Sequence, residues 1–320
     1  MPFESTWEED SSGFHHLEHV NINMPEHGPI TQLYFDTLLF APDSRRSQNI
    51  DKGSGTIWAN IGTSQLHMPH GEPQVVPGTI GLIYPDVEEI FPRLRQAAGN
   101  DALEGTKFAW VERTSKTAEV TGPFGNKLRL HSQPGGDKGA LFDPRGGQLP
   151  SPPSLGLGLA YVHLRARRGT AGGIGRFYRS VFGAEVLESG EAETVGMGGG
   201  RRVGALVRTG PSQHLGFFEV EEGEEAPSSY DGHHVCLYLT EECFRSSFLE
   251  LERMGLIFIN PRRNFGRADT LEKALEERQY RVKDIVDPTS GELLHELEHE
   301  IRSTNHPSYP VGRIVVGPSA

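Results

Sequence analysis

Only two cysteines, Cys236 and Cys243, occur in a chain of 320 residues. That excludes a disulfide scaffold and fits a reducing compartment. No apolar run approaches the roughly 20 residues that a bilayer span requires. The N-terminal MPFESTWEED is acidic and lacks the apolar core of a signal peptide. Basic charge is also scarce, with 31 Lys and Arg against 43 Asp and Glu and a formal net charge of −12. That balance disfavours nucleic acid or an anionic membrane as the main partner, and the short pairs Arg201-Arg202 and Arg262-Arg263 do not reverse it. The composition reads as that of a soluble, cytoplasmic protein, with an organelle address left open. What is present suffices for a core: apolar residues make up 36%, and the length allows one large domain or two ordinary ones.

The clearest boundary is SQPGGDKGALFDPRGGQLPSPPSLGLG, Ser132 to Gly158, where Gly and Pro dominate as in a linker. It predicts an N-terminal extension over 1–16, a first domain over 17–131, a linker over 132–157, a second domain over 158–304 and a tail over 305–320. The two halves share an order of signals. In the first, LEHVNINM alternates like a strand, and Ile30, Leu33, Tyr34 and Leu38 have helical spacing. TIWANIG, SQLHMPH and GTIGLIYPD read as strands. Val87, Ile90, Phe91 and Leu94 suggest a helix that Pro92 makes awkward, and FAWVER and KLRLHS follow. In the second half, LAYVHLRA, VGALVRT, HLGFFEV, HHVCLYL, LIFIN and YRVKDIV read as strands. Ile174, Phe177, Tyr178, Val181 and Phe182 mark an amphipathic helix. Another has Thr240 as N-cap, Phe244, Phe248 and Leu251 on one face, and Gly255 as stop. Strand, helix and three strands thus recur four times in two pairs, a repetition that outweighs any single motif.

RFYRSVFGAEVLE, the opening strand LEHVNINM, and the turn and closing-strand segments GPFGNKLRL and DPTSGELLHEL resemble the vicinal oxygen chelate superfamily, which includes glyoxalase I, bleomycin-resistance proteins and extradiol dioxygenases. The resemblance covers roughly residues 17–131 and 158–300. It implies an α+β fold in which four βαβββ modules pair into two tandem, cup-shaped, glyoxalase-like domains. In family enzymes a divalent metal sits in the cup, although similar cups also serve as metal-free binding pockets.

A competing motif is His295-Glu296-Leu297-Glu298-His299, which matches the H-E-x-x-H of zinc peptidases. On a helix its histidines lie about 6 Å apart and share one zinc. On a strand they are about 13 Å apart and cannot. The apolar pattern favours a strand from about Leu293 to Glu298, with Glu296 facing into the cup and His295 facing the leucines, because the other register buries two unpartnered carboxylates.

By the resemblance, His234 takes the second-module histidine position of the C-terminal cup, and Glu296 lies near the closing-strand carboxylate. Tyr161 falls in the first ligand slot and is the candidate catalytic side chain. His163 lies two residues along on the same face. A His163, His234, Glu296 set would suit one divalent Fe, Mn or Zn ion. In the first domain His19 fills the first slot and His67 that of the glyoxalase I glutamate, but Thr79 and Arg129 stand where a histidine and a carboxylate are expected. Arg129 would repel a cation and either pairs with a substrate carboxylate or fills an empty cup. His19, His67 and Arg129 are accordingly read as substrate-binding. GTAGGIG and GMGGG read as turns, since the first lacks the Lys-Ser/Thr that ends a P-loop. Asn260–Tyr280 reads as an insertion, lid or surface, with Asp269 and Glu272 as a capping box.

The expectation is a divalent-metal enzyme, a dioxygenase or a glyoxalase-type isomerase or lyase, that acts on a small vicinal-oxygen substrate, has no nucleic-acid or membrane partner, and pairs with a second copy as a homodimer. A metal-free small-molecule binder is the alternative, and a zinc peptidase the remote one.

Overall fold

The computed structural model describes residues 13–133, 154–193, 201–225, 227–261 and 267–309. Most of the expected linker, the GMGGG stretch, residues 262–266 of the insertion, and the outer parts of the extension and tail lie outside the described residues. In chain order the strands are β1 (Phe14–Asn21), β2 (Ala41–Pro42), β3 (Ile57–Ile61), β4 (Ser64–Met68), β5 (Gly78–Tyr84), β6 (Ala109–Thr114), β7 (Thr117–Thr121), β8 (Lys127–Ser132), β9 (Gly158–Ala166), β10 (Val186–Glu193), β11 (Arg201–Gly210), β12 (Gln213–Glu219), β13 (His234–Leu239), β14 (Gln279–Val286) and β15 (Leu293–Ser303). The helices are α1 (His27–Ile30), which continues as a π-helical turn over Thr31–Thr37, then α2 (Gln48–Lys52), α3 (Phe91–Ala97), α4 (Ala171–Phe182), α5 (Glu241–Arg253) and α6 (Leu271–Glu277). The strands form a seven-stranded sheet in the order β14-β15-β13-β1-β4-β3-β2 and an eight-stranded sheet in the order β10-β11-β12-β9-β5-β8-β7-β6. Among the described residues no helix is long and apolar enough to cross a membrane.

By compactness the described residues fall into two units. One comprises the chain up to Glu18 together with His163–Tyr309, and the other comprises His19–Val162. The division runs through β1, after Glu18, and through β9, after Val162.

In the first unit β13 and β15 run parallel and β14 closes against β15 in the antiparallel sense. The apolar stripe of α4 is buried as its period requires, with Ile174, Phe177, Tyr178, Val181 and Phe182 all nearly inaccessible. Thr240 caps α5 by accepting from the Cys243 N–H, and Gly255 just beyond the helix takes a positive φ of 70°. Helix α6 is capped by Thr270 rather than by Asp269, whose carboxylate instead pairs with Lys273 one turn on. The LIFIN segment expected as a strand supplies only one bridge, Ile257 to Val282.

In the second unit β3 and β4 form a hairpin and β6, β7 and β8 a meander, while β5 lies parallel to β8. Pro92 is accommodated because the expected helix is broken. A 3₁₀ turn over Val87–Glu89 precedes α3, which places the proline in the first turn, where its missing N–H costs nothing. The π-helical turn inserts an extra residue per turn, and Leu33, Tyr34 and Leu38 all remain buried. Strand β7 was not anticipated; its alternation, with Ala118 and Val120 inward, is short and rich in Thr and Glu.

Candidate functional site

The H-E-x-x-H string lies on β15, so its two histidines are four strand residues apart and cannot share a zinc. The strand's two faces differ sharply. One carries His295, Leu297, His299 and Ile301. Here His299 Nε2 meets the Tyr178 hydroxyl at 2.6 Å, and the His295 ring stands edge-on to Phe217 at 5.3 Å. Burial pushes the pKa of both histidines down to about 4, so both are neutral at pH 7.

The other face carries Glu296, Glu298, Glu300 and Arg302, and it is a buried charge ladder. Register pairs His234 with Glu298, Cys236 with Glu300 and Tyr238 with Arg302 along β13, and Arg281 of β14 with Glu300. Arg281 bridges Glu298 and Glu300 at 2.5 Å each, and its side chain is fully buried. Burial works against its charge, but Glu300 and Glu298 outweigh this and hold its pKa above the usual guanidinium value. Arg302 bonds the other oxygen of Glu300 at 2.5 Å and Glu18 at 2.7 Å, and lies over the Tyr238 ring. Glu298 also accepts from Asn260 at 2.9 and 3.1 Å and from the Tyr230 hydroxyl at 3.4 Å. Glu18, Glu298 and Glu300 against Arg281 and Arg302 leave one carboxylate in excess. Into this ladder points His234, whose Nε2 is 3.5 Å from Glu300.

Within the unit formed by the chain up to Glu18 and His163–Tyr309, His234 and Glu300 are candidate metal ligands: both are buried, and the imidazole nitrogen lies 3.5 Å from the carboxylate oxygen. An imidazole and a carboxylate are donors that suit Fe, Mn or Zn.

His19 is placed by its neighbours in the second unit. Its ring stacks on His67 at 3.7 Å, and His67 stacks in turn on Trp58 at 4.5 Å. His67 Nε2 meets Gln65 Oε1 at 2.8 Å, and Gln65 donates to Asp43 at 2.9 Å. Asp43 is tied to Arg45, and although burial raises its pKa, the bonds and charge of Arg45 bring it below the usual carboxylate value.

The remaining expected residues have other partners. Glu296 is paired with Lys283 near the exposed end of the ladder. His163 lies on β9 in the eight-stranded sheet, where its Nε2 meets His214 Nε2 at 2.8 Å, so it is not brought to His234 and Glu296. Tyr161, fully buried on β9, contacts His131 Nε2 through its hydroxyl at 2.9 Å. Its ring crosses Gly81, where any Cβ would come within 2.3 Å of it. Burial, aided by Arg129, lowers the His131 pKa to about 4. Arg129 lies 3.7 Å from Glu119, its register partner on β7.

The residues not anticipated are Glu18, Cys236, Arg281, Glu298, Glu300 and Arg302. The signal for Glu298, Glu300 and Arg302 was available in ELEHEIR, where charged residues alternate with period two beyond the point at which the strand was expected to stop.

No family model matches the chain, and no curated protein matches its sequence. Solved structures do match. A Bacillus subtilis protein described as a candidate dioxygenase is 12% identical over 95% of this chain and 92% of its own, with a TM-score of 0.51. A glyoxalase I variant from Zea mays is 13% identical over 90% of this chain and 93% of its own, with a TM-score of 0.49. With its two mixed sheets, the chain has the vicinal oxygen chelate fold.

Proposed function

We propose that the chain is a metal-dependent enzyme of the vicinal oxygen chelate type, and that His234 and Glu300 hold one divalent ion. The observation that carries this is the buried pair of His234 Nε2 and the Glu300 carboxylate, 3.5 Å apart. Bound there, a divalent ion supplies Lewis-acid chemistry to a small substrate with two neighbouring oxygens. The chain's own residues prepare the setting. Arg281 and Arg302 fix the Glu300 carboxylate from both sides. Glu298, bound by Arg281, Asn260 and Tyr230, is held too firmly to serve as a mobile base.

The resemblance leaves dioxygenase and glyoxalase-type chemistry both open, and Fe, Mn and Zn all suit the donors. A cytoplasmic homodimer is the proposed setting.

A second reading rests on the same carboxylate. Both oxygens of Glu300 already accept from guanidinium groups, and two buried cations oppose a third. On that reading the protein binds a small molecule without metal. Metal analysis of the purified chain separates the two: one ion per chain supports the enzyme, and none after incubation with excess Fe, Mn or Zn supports the binder.

A further inference from the structure

The unit comprising His19–Val162 carries a cation that the metal-site reading does not use, Arg129. On β8 Arg129 and His131 are two residues apart and share a face. Leu128 and Leu130 occupy the other face, where they are buried with Ala118 and Val120 of β7. Register sets Arg129 between Gly81 of β5 and Glu119 of β7. The Tyr161 ring passes over Gly81, and its hydroxyl meets His131 Nε2 at 2.9 Å. All of these residues belong to this one unit.

The Arg129 side chain is only 16% exposed. Its guanidinium nevertheless donates no hydrogen bond to any described residue, and its Nε is buried without a partner. The Glu119 oxygen that it faces, Oε1, is 3.7 Å away, beyond hydrogen-bond range. The other Glu119 oxygen accepts twice from Arg113, at 2.5 and 2.8 Å. Two guanidinium groups thus share one carboxylate, which leaves a positive charge in excess. Its neighbours do not cancel it. Burial, aided by Arg129, lowers the His131 pKa to about 4, and burial raises that of Tyr161, so both are neutral at pH 7. A largely covered cation that forms no hydrogen bond has given up hydration without replacement, a cost that an anionic ligand removes.

We propose that Arg129 anchors a second small-molecule site, which takes a compact monocarboxylate on the accessible edge of its guanidinium. Two N–H groups of the planar fork match the two carboxylate oxygens, a geometry that Glu119 does not supply at 3.7 Å. Tyr161 and His131 form a rigid, uncharged wall beside the fork and keep it from turning toward β5. The site shares no residue with the His234 and Glu300 pair and stands or falls independently of it.

The full-length chain, stripped with chelator so that no acid can bind through a metal, is titrated with formate, acetate and benzoate at constant ionic strength. Calorimetry reads the affinity, and NMR of the His131 and Tyr161 ring signals reads the location. The wild type is expected to bind one equivalent of at least one acid and to shift both signals, whereas benzamide, neutral and of the same shape as benzoate, should do neither. Arg129→Lys should weaken binding about tenfold and Arg129→Met roughly a hundredfold, because an ammonium lacks the fork and a thioether lacks the charge. Glu119→Gln should tighten it several-fold by removing the negative charge that faces Arg129. Circular dichroism confirms that each variant is folded. No saturable binding of any of the three acids by the wild type, equal binding by Arg129→Lys and wild type, or binding that Glu119→Gln fails to tighten would overturn the assignment. The last result would leave Arg129 as no more than a structural partner of Glu119.

Discussion

Replacing Arg281 with methionine should destabilise the unit formed by the chain up to Glu18 and His163–Tyr309 far more than an ordinary surface change. The guanidinium is fully buried and holds Glu298 and Glu300 at 2.5 Å each. Its removal leaves two buried carboxylates with one fewer cation. Breaking a buried pair in this way costs about 3–5 kcal/mol. A unit of this size loses about 2–4 °C of melting temperature per kcal/mol, so the transition should fall by roughly 6–20 °C. The deficit should also depend on pH. Without Arg281 the carboxylates have folded pKa values above their unfolded ones, so the penalty is full at neutral pH and shrinks as they take up protons on acidification. Scanning calorimetry of wild type, Arg281→Met and Arg281→Lys at pH 7.5 and pH 5, each variant compared with wild type at the same pH, measures both effects. Lys should be intermediate, since one ammonium cannot reproduce the fork that spans both carboxylates. A loss below about 1 kcal/mol at both pH values would refute the reasoning, because that is the range of a solvent-screened surface pair.

Three further outcomes are expected. Stability should fall as pH drops from about 6.5 toward 4, because His131, His214, His295 and His299 have folded pKa values near 4 and take up protons mainly when unfolded; a flat calorimetric profile across that window would contradict their buried, neutral state. Glu300→Gln should abolish stoichiometric metal binding whereas Glu296→Gln, whose side chain pairs with Lys283, should retain it; the opposite result by metal analysis would move the carboxylate ligand to Glu296. Gly81→Ala should cost about 1–3 kcal/mol, since its methyl group meets the Tyr161 ring, and Tyr161→Ala in the same chain should recover part of the overpacking term in a double-mutant cycle.

The strands were legible where one face is apolar and the other is not. LAYVHLRA and KLRLHS appear close to their expected limits as β9 and β8, because alternation and flanking turns agree. LIFIN shows the limit of the method: an apolar run suits a strand, but only Ile257 finds a bridging partner. On β15 the parity was readable and the length was not. The leucines placed His295 and Glu296 on opposite faces, yet the strand continues to Ser303, five residues past the expected Glu298. Charged residues in EHEIR look like a solvated end when read singly. They are buried because Arg281 and Arg302 come from β14 and from β15 itself to neutralise them, a cross-strand pairing that one-dimensional pattern cannot show. For the same reason Glu300 was overlooked, while His19, His67 and His234 were singled out through the resemblance.

The central claim is tested most directly by metal content. The full-length chain is stripped with chelator, reloaded separately with Fe(II), Mn(II) and Zn(II), freed of excess ion, and analysed by mass spectrometry beside His234→Ala. One equivalent of at least one ion on the wild type, and less than a tenth of that on a variant with an unchanged circular dichroism spectrum, is the predicted result. Equal metal on both proteins, or none on the folded wild type with any of the three ions, would contradict the account.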